Sequence, residues 1–258
     1  MATKKKMLEA AAGGAGGAGL DITEVFSTYL YTGTGSARSI VNEIDLAGEG
    51  GIVWLKSRSD ATPHTLHTTD IGALNYLVPN NTSGNNAGLA GYGLTAFNSN
   101  GFSLGTDYEG ENGSGKTYAS WTFRKAPKFF DIVTYTGTGS AQNISHNLGS
   151  VPGMIIVKRT DAANNWTCFH RSLASNGAGA WSELNNSDAA QTDPAVNYWN
   201  NTGPTDSVFT VATDSSVNAS GGTYVAYLFA HNDSGDGGFG PDGDQDIIKC
   251  GVFTDSAS

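Results

Sequence analysis

A seven-residue string occurs twice in this chain, and the duplication constrains the fold more than any other feature of the sequence. Tyr31-Thr-Gly-Thr-Gly-Ser-Ala37 returns unchanged at 135–141, an offset of 135 − 31 = 104. Further blocks recur at offsets between 102 and 107, among them 52–56 as 154–158 and 102–107 as 209–214. Self-similarity of this kind indicates that one structural unit has been copied along the chain.

The repeat divides the 258 residues into two similar modules. We predict a first copy over 26–130 and a second copy over 131–245, each long enough to bury a core of its own. Residues 1–25 precede the repeat. Residues 246–258 resemble the opening of the second copy, so they are predicted to begin a third.

Composition predicts an all-β fold. Glycine accounts for 35 residues, and Asn, Ser and Thr are also abundant, whereas Lys, Glu and Leu are scarce. Helices favour the scarce residues and turns favour the abundant ones. Short apolar or alternating runs such as 52–55, 155–157 and 223–229 have the pattern of strands, with Gly- and Asn-rich clusters between them. We therefore expect two tandem β-sandwich modules.

Charge and cysteine usage exclude several classes of protein. A formal net charge of −10 offers no basic patch for nucleic acid or anionic lipid, and no apolar run is long enough to insert into a membrane. The basic start at 1–8 is followed by Glu9 and a Gly/Ala tract, so a secretion signal is not predicted. Cys168 and Cys250 lie at non-equivalent positions, so both are expected to be free thiols of a protein made in a cytoplasm.

The start of the chain and two long loops are the candidate contact surfaces. Residues 4–12 are long enough for about two helical turns, and the glycine-rich stretch 13–19 is a flexible tether, so 1–25 is interpreted as a docking segment. The alternative is a loose terminus without a partner. The stretches 75–95 and 182–205 are the least regular, and long loops on a rigid sandwich are where binding surfaces lie.

The five tryptophans fall into two groups. Trp54, Trp121 and Trp166 lie in predicted strands and are expected in the core. Trp181 and Trp199 lie in or beside the loop 182–205, where an aromatic ring is available for stacking on a sugar. These two are the candidate ligand-binding residues.

Gly110-Glu-Asn-Gly-Ser-Gly-Lys116-Thr117 satisfies the pattern of a phosphate-binding loop. That chemistry needs a buried strand before the loop and a helix after it, whose N-terminus and amides hold the phosphate. Residues 118–123 instead alternate like a strand, and the second copy has Gly222 where Lys116 stands. We predict a hairpin loop and no nucleotide site at Lys116.

The acidic segment 233–246 is the remaining metal candidate. Asp242, Asp244 and Asp246 match the first ligand positions of an EF-hand loop, but the later Gly and bidentate Glu of that loop are missing. The segment is therefore interpreted as a solvated linker, with weak calcium binding as the alternative.

No catalytic centre is predicted. The five histidines form no metal-ligand pair, and His67 and His170 match across the copies, which indicates a structural role. No nucleophile elbow and no acidic residue within an aromatic strand is visible. We expect no catalytic residue, no metal and no cofactor.

Three strings in the second copy carry a resemblance to a known family: 129–139, 144–159 with Trp166 to Leu173, and 217–230. They resemble a repeated module of bacteriophage virion proteins of the tail-fibre-like kind, found in marine and cyanobacterial phages. The first copy matches less closely, since Asn42-Glu-Ile replaces the Ser-His-Asn-Leu-Gly-Ser block. The resemblance implies a β-sandwich or lectin-like jelly roll in a multi-copy assembly, often trimeric, without agreed catalytic residues.

The expected function follows from the repeat and the resemblance together. We expect a virion structural protein of the tail or fibre type, made in the host cytoplasm and not an enzyme. Residues 1–25 are expected to dock on other tail proteins, and the chain to form a homotrimer or higher homo-oligomer. Two alternatives are a receptor module that binds host cell-surface glycan through Trp181 and Trp199, and a glycan depolymerase.

Overall fold

The computed structural model describes residues 19–107, 110–173 and 178–252. Over these residues the chain forms seventeen strands and three helices of four residues each, which confirms the all-β prediction. Of the predicted docking segment 1–25, residues 1–18 lie outside the described part of the chain. None of the described helices is long and apolar enough to cross a membrane.

Each of the three helices begins after an aspartate whose carboxylate accepts a backbone N–H of the first turn, as a helix N-cap does. The helices are α1 (Ile22–Val25), α2 (Leu46–Glu49) and α3 (Ser215–Asn218). The strands of the first copy are β1 (Phe26–Thr32), β2 (Arg38–Val41), β3 (Gly51–Ser57), β4 (Thr65–Thr68), β5 (Asn75–Tyr76), β6 (Asn86–Ala87), β7 (Leu94–Asn98), β8 (Gly101–Leu104) and β9 (Thr117–Arg124). Those that follow are β10 (Phe130–Thr136), β11 (Gln142–Ser145), β12 (Pro152–Arg159), β13 (Trp166–His170), β14 (Ala180–Glu183), β15 (Gln191–Thr192), β16 (Val208–Val211) and β17 (Thr223–Ala230).

The strands pair in the same order in both copies. The large sheet of the first copy has the order β1-β9-β3-β4, and that of the second has the order β10-β17-β12-β13-β14-β15. A small sheet accompanies each of them, β2-β8-β7 in the first copy and β11-β16 in the second. In each large sheet the first strand of the copy lies beside the last, and these ladders are antiparallel. The duplicated sequence thus corresponds to a duplicated strand order.

Three clusters of buried side chains hold the sheets together. Two of them lie between the small and the large sheet of one copy, and the third lies between the large sheets of the two copies. A central strand such as β3 is therefore covered on both faces, which explains its continuous apolar sequence. Representative members are Ile40 and Phe102 in the first copy, Ile144 and Phe209 in the second, and Ile52, Leu66, Ile132 and Tyr227 in the shared cluster.

The two copies meet in a local two-fold arrangement. Phe123 in β9 and Phe229 in β17 occupy equivalent positions, and their ring centroids lie 5.7 Å apart. Phe123 also packs on Phe26 at 4.8 Å, and Phe229 packs on Phe130 at 5.0 Å. A residue that contacts its own counterpart is characteristic of the self-complementary interface of a two-fold dimer. The chain is in this sense an internal dimer of its repeat.

The repeated heptapeptide forms the same turn in both copies, wrapped around an asparagine that is 0% exposed. Asn112 Oδ1 accepts the N–H of Thr34 at 3.0 Å, and Asn218 Oδ1 accepts the N–H of Thr138 at 2.8 Å. In each copy the side-chain Nδ2 donates to two main-chain carbonyls. The tyrosine that opens the heptapeptide stacks on the tyrosine of the last strand, with centroids 5.0 Å apart in both copies. The heptapeptide is therefore identical in the two copies because it forms the same local structure in both.

His67 and His170 are not counterparts, so this sequence match was wrong by one residue. Val53 of β3 faces His67 of β4, whereas its counterpart Ile155 of β12 faces Phe169 of β13. The two strand pairs keep an offset of 155 − 53 = 102, which places Phe169 where His67 stands.

His67 instead forms a buried polar pair with Glu111. His67 Nε2 lies 2.7 Å from Glu111 Oε1, and the side chains are 3% and 2% exposed. His67 Nδ1 faces two main-chain carbonyls at 3.1 and 3.3 Å, so this nitrogen carries a proton. The second copy has Phe169 and Val217 at the equivalent positions, so the polar pair distinguishes the first copy.

The acidic segment 233–246 keeps its aspartates exposed, as expected of a solvated linker, but its middle packs onto the body. Phe239 is 2% exposed and belongs to the shared cluster. Phe239 forms a bridge with Leu20, whose carbonyl accepts the N–H of Gly240 at 3.0 Å. Residues 246–252 contain no strand, although the equivalent residues of the second copy lie in β10, and residues 253–258 fall outside the described part of the chain.

Candidate functional site

A cleft of about 430 Å³ opens where the two copies meet, and we call it the inter-copy cleft. The first copy lines it with Trp54, His64, Pro79 and Asn80, and the second copy lines it with the run 184–187. Trp54 lies in β3, and the other residues lie in connections that precede β4 or follow β5 and β14. Junctions between structural units are common places for ligand sites.

Two equivalent loops reach the cleft, 80–83 and 185–188, and we call them the first and second Asn loops. The first asparagine of each accepts a backbone N–H at the start of the neighbouring strand pair: Asn80 from His64 at 2.9 Å, and Asn185 from Trp166 at 2.8 Å. The second asparagine of each accepts the N–H two residues further on, at 2.9 and 3.0 Å. Such side-chain turns fix the path of a loop.

The first Asn loop is fastened to the second copy. Trp166 Nε1 donates to the carbonyl of Asn81 at 3.1 Å. Lys158, which is 0% exposed, donates from Nζ to the carbonyl of Thr82 at 3.0 Å. Two main-chain hydrogen bonds of 2.7 and 2.8 Å join the same segments. These contacts fill the space beside the indole of Trp166.

Among the described residues, the second Asn loop makes no matching hydrogen bonds with the first copy. The counterparts of Trp166 and Lys158 there are His64 and Lys56. Lys56 Nζ donates to two carbonyls of its own copy, at 2.8 and 3.2 Å. The side chain of Asn186 donates to a carboxylate of β14 in the second copy. The two-fold arrangement is therefore broken at this point, and the inter-copy cleft is the space between the unmatched groups.

Neutral polar groups beside an indole characterise the inter-copy cleft. Trp54 Nε1 donates to His64 Nδ1 at 2.9 Å, so the imidazole proton is on Nε2. Burial, and then the charge of Lys56, lower the pKa of His64, which keeps the ring neutral at pH 7. Within the part of the chain that the structure describes, His64 Nε2, Asn80 Nδ2 and Ser187 Oγ make no hydrogen bond. These groups can bind a ligand that enters the cleft.

The structure separates the two tryptophans proposed for sugar contact. Trp181 in β14 is half-buried and stacks on Tyr198 with centroids 4.3 Å apart. Trp199 is 1% exposed and packs edge-on against Phe169, at 5.8 Å, in the core of the second copy. Since no ligand can stack on a ring buried to this degree, Trp199 is a core residue. Neither tryptophan is among the described residues that line the inter-copy cleft.

The loop with the phosphate-binding pattern connects β8 of the small sheet to β9 of the large sheet and is bound to the heptapeptide turn. The predicted hairpin was therefore wrong, because β8 and β9 pair with other strands. The N–H of Gly115 donates to a carbonyl of that turn at 3.0 Å, and the N–H of Gly113 donates to the hydroxyl of Tyr118 at 2.8 Å. Strand β9, and not a helix, follows the loop. Lys116 Nζ pairs with Asp60 at 2.9 Å on the surface. Amides that would cradle phosphate are thus engaged inside the protein.

Residues that could carry metal or redox chemistry are dispersed. In 19–107, 110–173 and 178–252 no group of three or more His, Cys, Asp and Glu side chains is arranged to hold a metal ion. Asp246, from the EF-hand-like sequence, instead accepts two backbone N–H groups of its own segment, at 3.0 and 3.1 Å. Cys168 and Cys250 are free thiols, and burial raises the pKa of Cys168 to about 12, which leaves it protonated.

A second cleft, of about 610 Å³, lies on the second copy and is charged. Arg171, His231, Asp233 and Asp236 are among its lining residues. Asp233 also pairs with Lys249 at 2.7 Å. Opposite charges stand close together here, so this cleft favours neither an anion nor a neutral ligand as clearly as the inter-copy cleft does.

Trp54 and His64 were not predicted as site residues. Trp54 was expected in the core because it lies in a strand, yet it packs at the margin of the shared cluster and also lines the inter-copy cleft. The available signal was the match of Asn80-Asn-Thr with Asn185-Asn-Ser, at an offset of 185 − 80 = 105. That match identifies the loops but not the cleft between them.

Comparison with known proteins identifies a family. A family model described as a domain of unknown function (DUF7483) matches residues 21–244. The matched range contains both strand repeats, so the family is defined over the two copies together. No curated protein matches the chain, and no solved structure matches it.

Proposed function

We propose that this chain, which belongs to the family described as a domain of unknown function (DUF7483), is a structural protein of a virus particle. In this proposal it is a tail or fibre component that presents a rigid double sandwich for assembly and host attachment. The observation that carries the proposal is the shared cluster between the large sheets, where Phe123 meets its counterpart Phe229 at 5.7 Å.

A shared core supports presentation because it fixes the two copies relative to each other. Domains joined only by a linker move by default, whereas a large apolar interface suppresses that motion. The first Asn loop is held by side-chain and main-chain hydrogen bonds to the other copy. Loops fixed in this way keep a constant shape, which lowers the entropy cost of binding a partner.

The proposal assigns assembly to the N-terminal region. Residues 1–25 dock on another tail protein, and the chain acts as a homotrimer or a higher homo-oligomer. Leu20, which lies within this segment, is held beside Phe239 by main-chain contacts, so the segment joins the body at a fixed point. No catalytic role is proposed.

Electron microscopy of purified phage particles labelled with an antibody against the chain tests the proposal. We expect label on the tail or its fibres, and we expect the purified chain to compete with particles for adsorption to host cells. Label that is absent from intact particles while the chain is abundant in infected cells would contradict the virion assignment.

A further inference from the structure

We propose that the inter-copy cleft is a binding site for a neutral glycan. In this proposal a pyranose ring lies against the indole of Trp54, and its hydroxyls bind His64 Nε2, Asn80 Nδ2 and Ser187 Oγ. The inference deepens the proposed attachment function, on which it rests, because it names the ligand class and the site.

The lining of the cleft fits an amphipathic ligand. Trp54, Pro79 and Leu184 supply apolar surface, and Leu184 is 40% exposed. Next to them lie the three hydrogen-bonding groups without a partner in the described chain. A purely apolar ligand would leave those groups unsatisfied, which is costly once water is displaced. A pyranose has an apolar C–H face and a rim of hydroxyls, so it matches both parts of the lining.

The charges around the cleft favour a neutral ligand. The described residues that line it carry no ionised side chain, because His64 is neutral and the others are Trp, Pro, Leu, Asn and Ser. The nearest amine, on Lys56, is engaged by two carbonyls. An anionic sugar would find no counter-charge there, and the net charge of −10 would repel it.

Broken symmetry places the site on one side of the molecule. At the equivalent position of the second copy, Asn81 and Thr82 cover the indole of Trp166 and the amine of Lys158. At the inter-copy cleft the second Asn loop leaves Trp54 and His64 uncovered. In the inter-copy cleft a glycan would thus occupy the place that, beside Trp166, is occupied by the first Asn loop.

The test is an array of neutral and anionic oligosaccharides probed with the full chain, followed by titration calorimetry with the tightest neutral ligand. We expect a neutral ligand to bind, and Ser187→Trp, which fills the cleft from an exposed loop, to weaken binding at least tenfold. Trp54→Ala should do the same. The matched control is Val41→Ala, a 45% exposed apolar side chain in β2 of the small sheet and outside the cleft, which should leave the affinity unchanged.

Ser187→Trp guards against misfolding, because Trp54→Ala also removes contacts of the shared cluster. Circular dichroism must show each variant folded. The inference is overturned if no neutral oligosaccharide binds the wild-type chain, or if binding persists in Ser187→Trp. If the wild-type chain adsorbs to host cells but binds no neutral glycan, the proposed glycan site is rejected while the attachment function stands. If the chain binds glycan through the cleft but is absent from phage particles, the site stands and the virion assignment fails.

Discussion

Asn112 and Asn218 explain why one heptapeptide is spelled identically in both copies. Each is fully buried, and each satisfies one N–H and two carbonyls of the chain around it. A buried polar group that keeps its partners stabilises a turn modestly, whereas partners left behind by its removal cost more. The contacts with this asparagine thus explain why the Gly, Thr and Ser residues of the heptapeptide are the same in both copies.

Asn112→Ala is predicted to lower the free energy of unfolding by about 2–3 kcal/mol, because three main-chain groups lose their partner and one of them, the carbonyl of Gly105, is buried. Urea denaturation measures this. The control Ser114→Ala, in an exposed part of the same β8–β9 loop, should change it by no more than about 0.5 kcal/mol. Equal effects of the two substitutions would contradict the assigned role of Asn112.

Lys158 gives the protein a specific dependence on pH. Burial, and then the neighbouring charge of Arg159, lower its pKa to about 8 from 10.5. The unfolded chain therefore holds this proton to higher pH than the folded chain, so stability rises as pH increases from 8 towards 10.5. Over pH 8 to 9.5 the free energy of unfolding of the wild type should rise relative to that of Lys158→Met. Parallel pH profiles of the two proteins, measured by urea denaturation, would contradict this prediction.

Lys116→Ala tests the reading of the phosphate-binding pattern. Lys116 Nζ forms a surface ion pair with Asp60, so the substitution should change stability by less than about 1 kcal/mol. Equilibrium dialysis should show no retention of ATP by wild type or variant. Retention by the wild type that the variant loses would reinstate a nucleotide site.

Among the strands and turns, alternation and Gly/Asn clusters predicted β3, β9, β12 and β17 well, because burial patterns are local along a strand. The one-residue error at His67 arose because a strand match depends on register, and register is set by the partner strand. Trp199 was misjudged for a related reason. A tryptophan in an irregular segment looks the same whether the segment is exposed or folds back on the core.

The first glycine of the repeated turn is predicted to be required in both copies. A Cβ at Gly33 would overlap the carbonyl of Gly113, and a Cβ at Gly137 would overlap that of Ala219. Gly33→Ala and Gly137→Ala should each destabilise the chain by about 1–3 kcal/mol through overpacking. The control is Gly251→Ala, where a Cβ would meet open space. A thermal midpoint unchanged in either turn variant would show that the turns are not equivalent.

The arrangement of the copies lay beyond sequence reasoning. Apolar runs such as 52–55 indicated strands covered on both faces, but not that the second cover is the other copy. A repeated sequence is equally compatible with two independent domains and with two copies that pack together as an internal dimer. The inter-copy cleft could not be predicted for the same reason. Its residues come from both copies, and it exists because the two Asn loops depart from the two-fold arrangement.

Differential scanning calorimetry of the full chain tests most directly whether the copies fold as one body. The cluster that contains Phe123 and Phe229 predicts a single transition whose calorimetric and van't Hoff enthalpies agree. Phe229→Ala should lower the midpoint of that one transition. Two separate transitions in the wild type, with only one of them moved by Phe229→Ala, would show two independent domains and contradict the shared core.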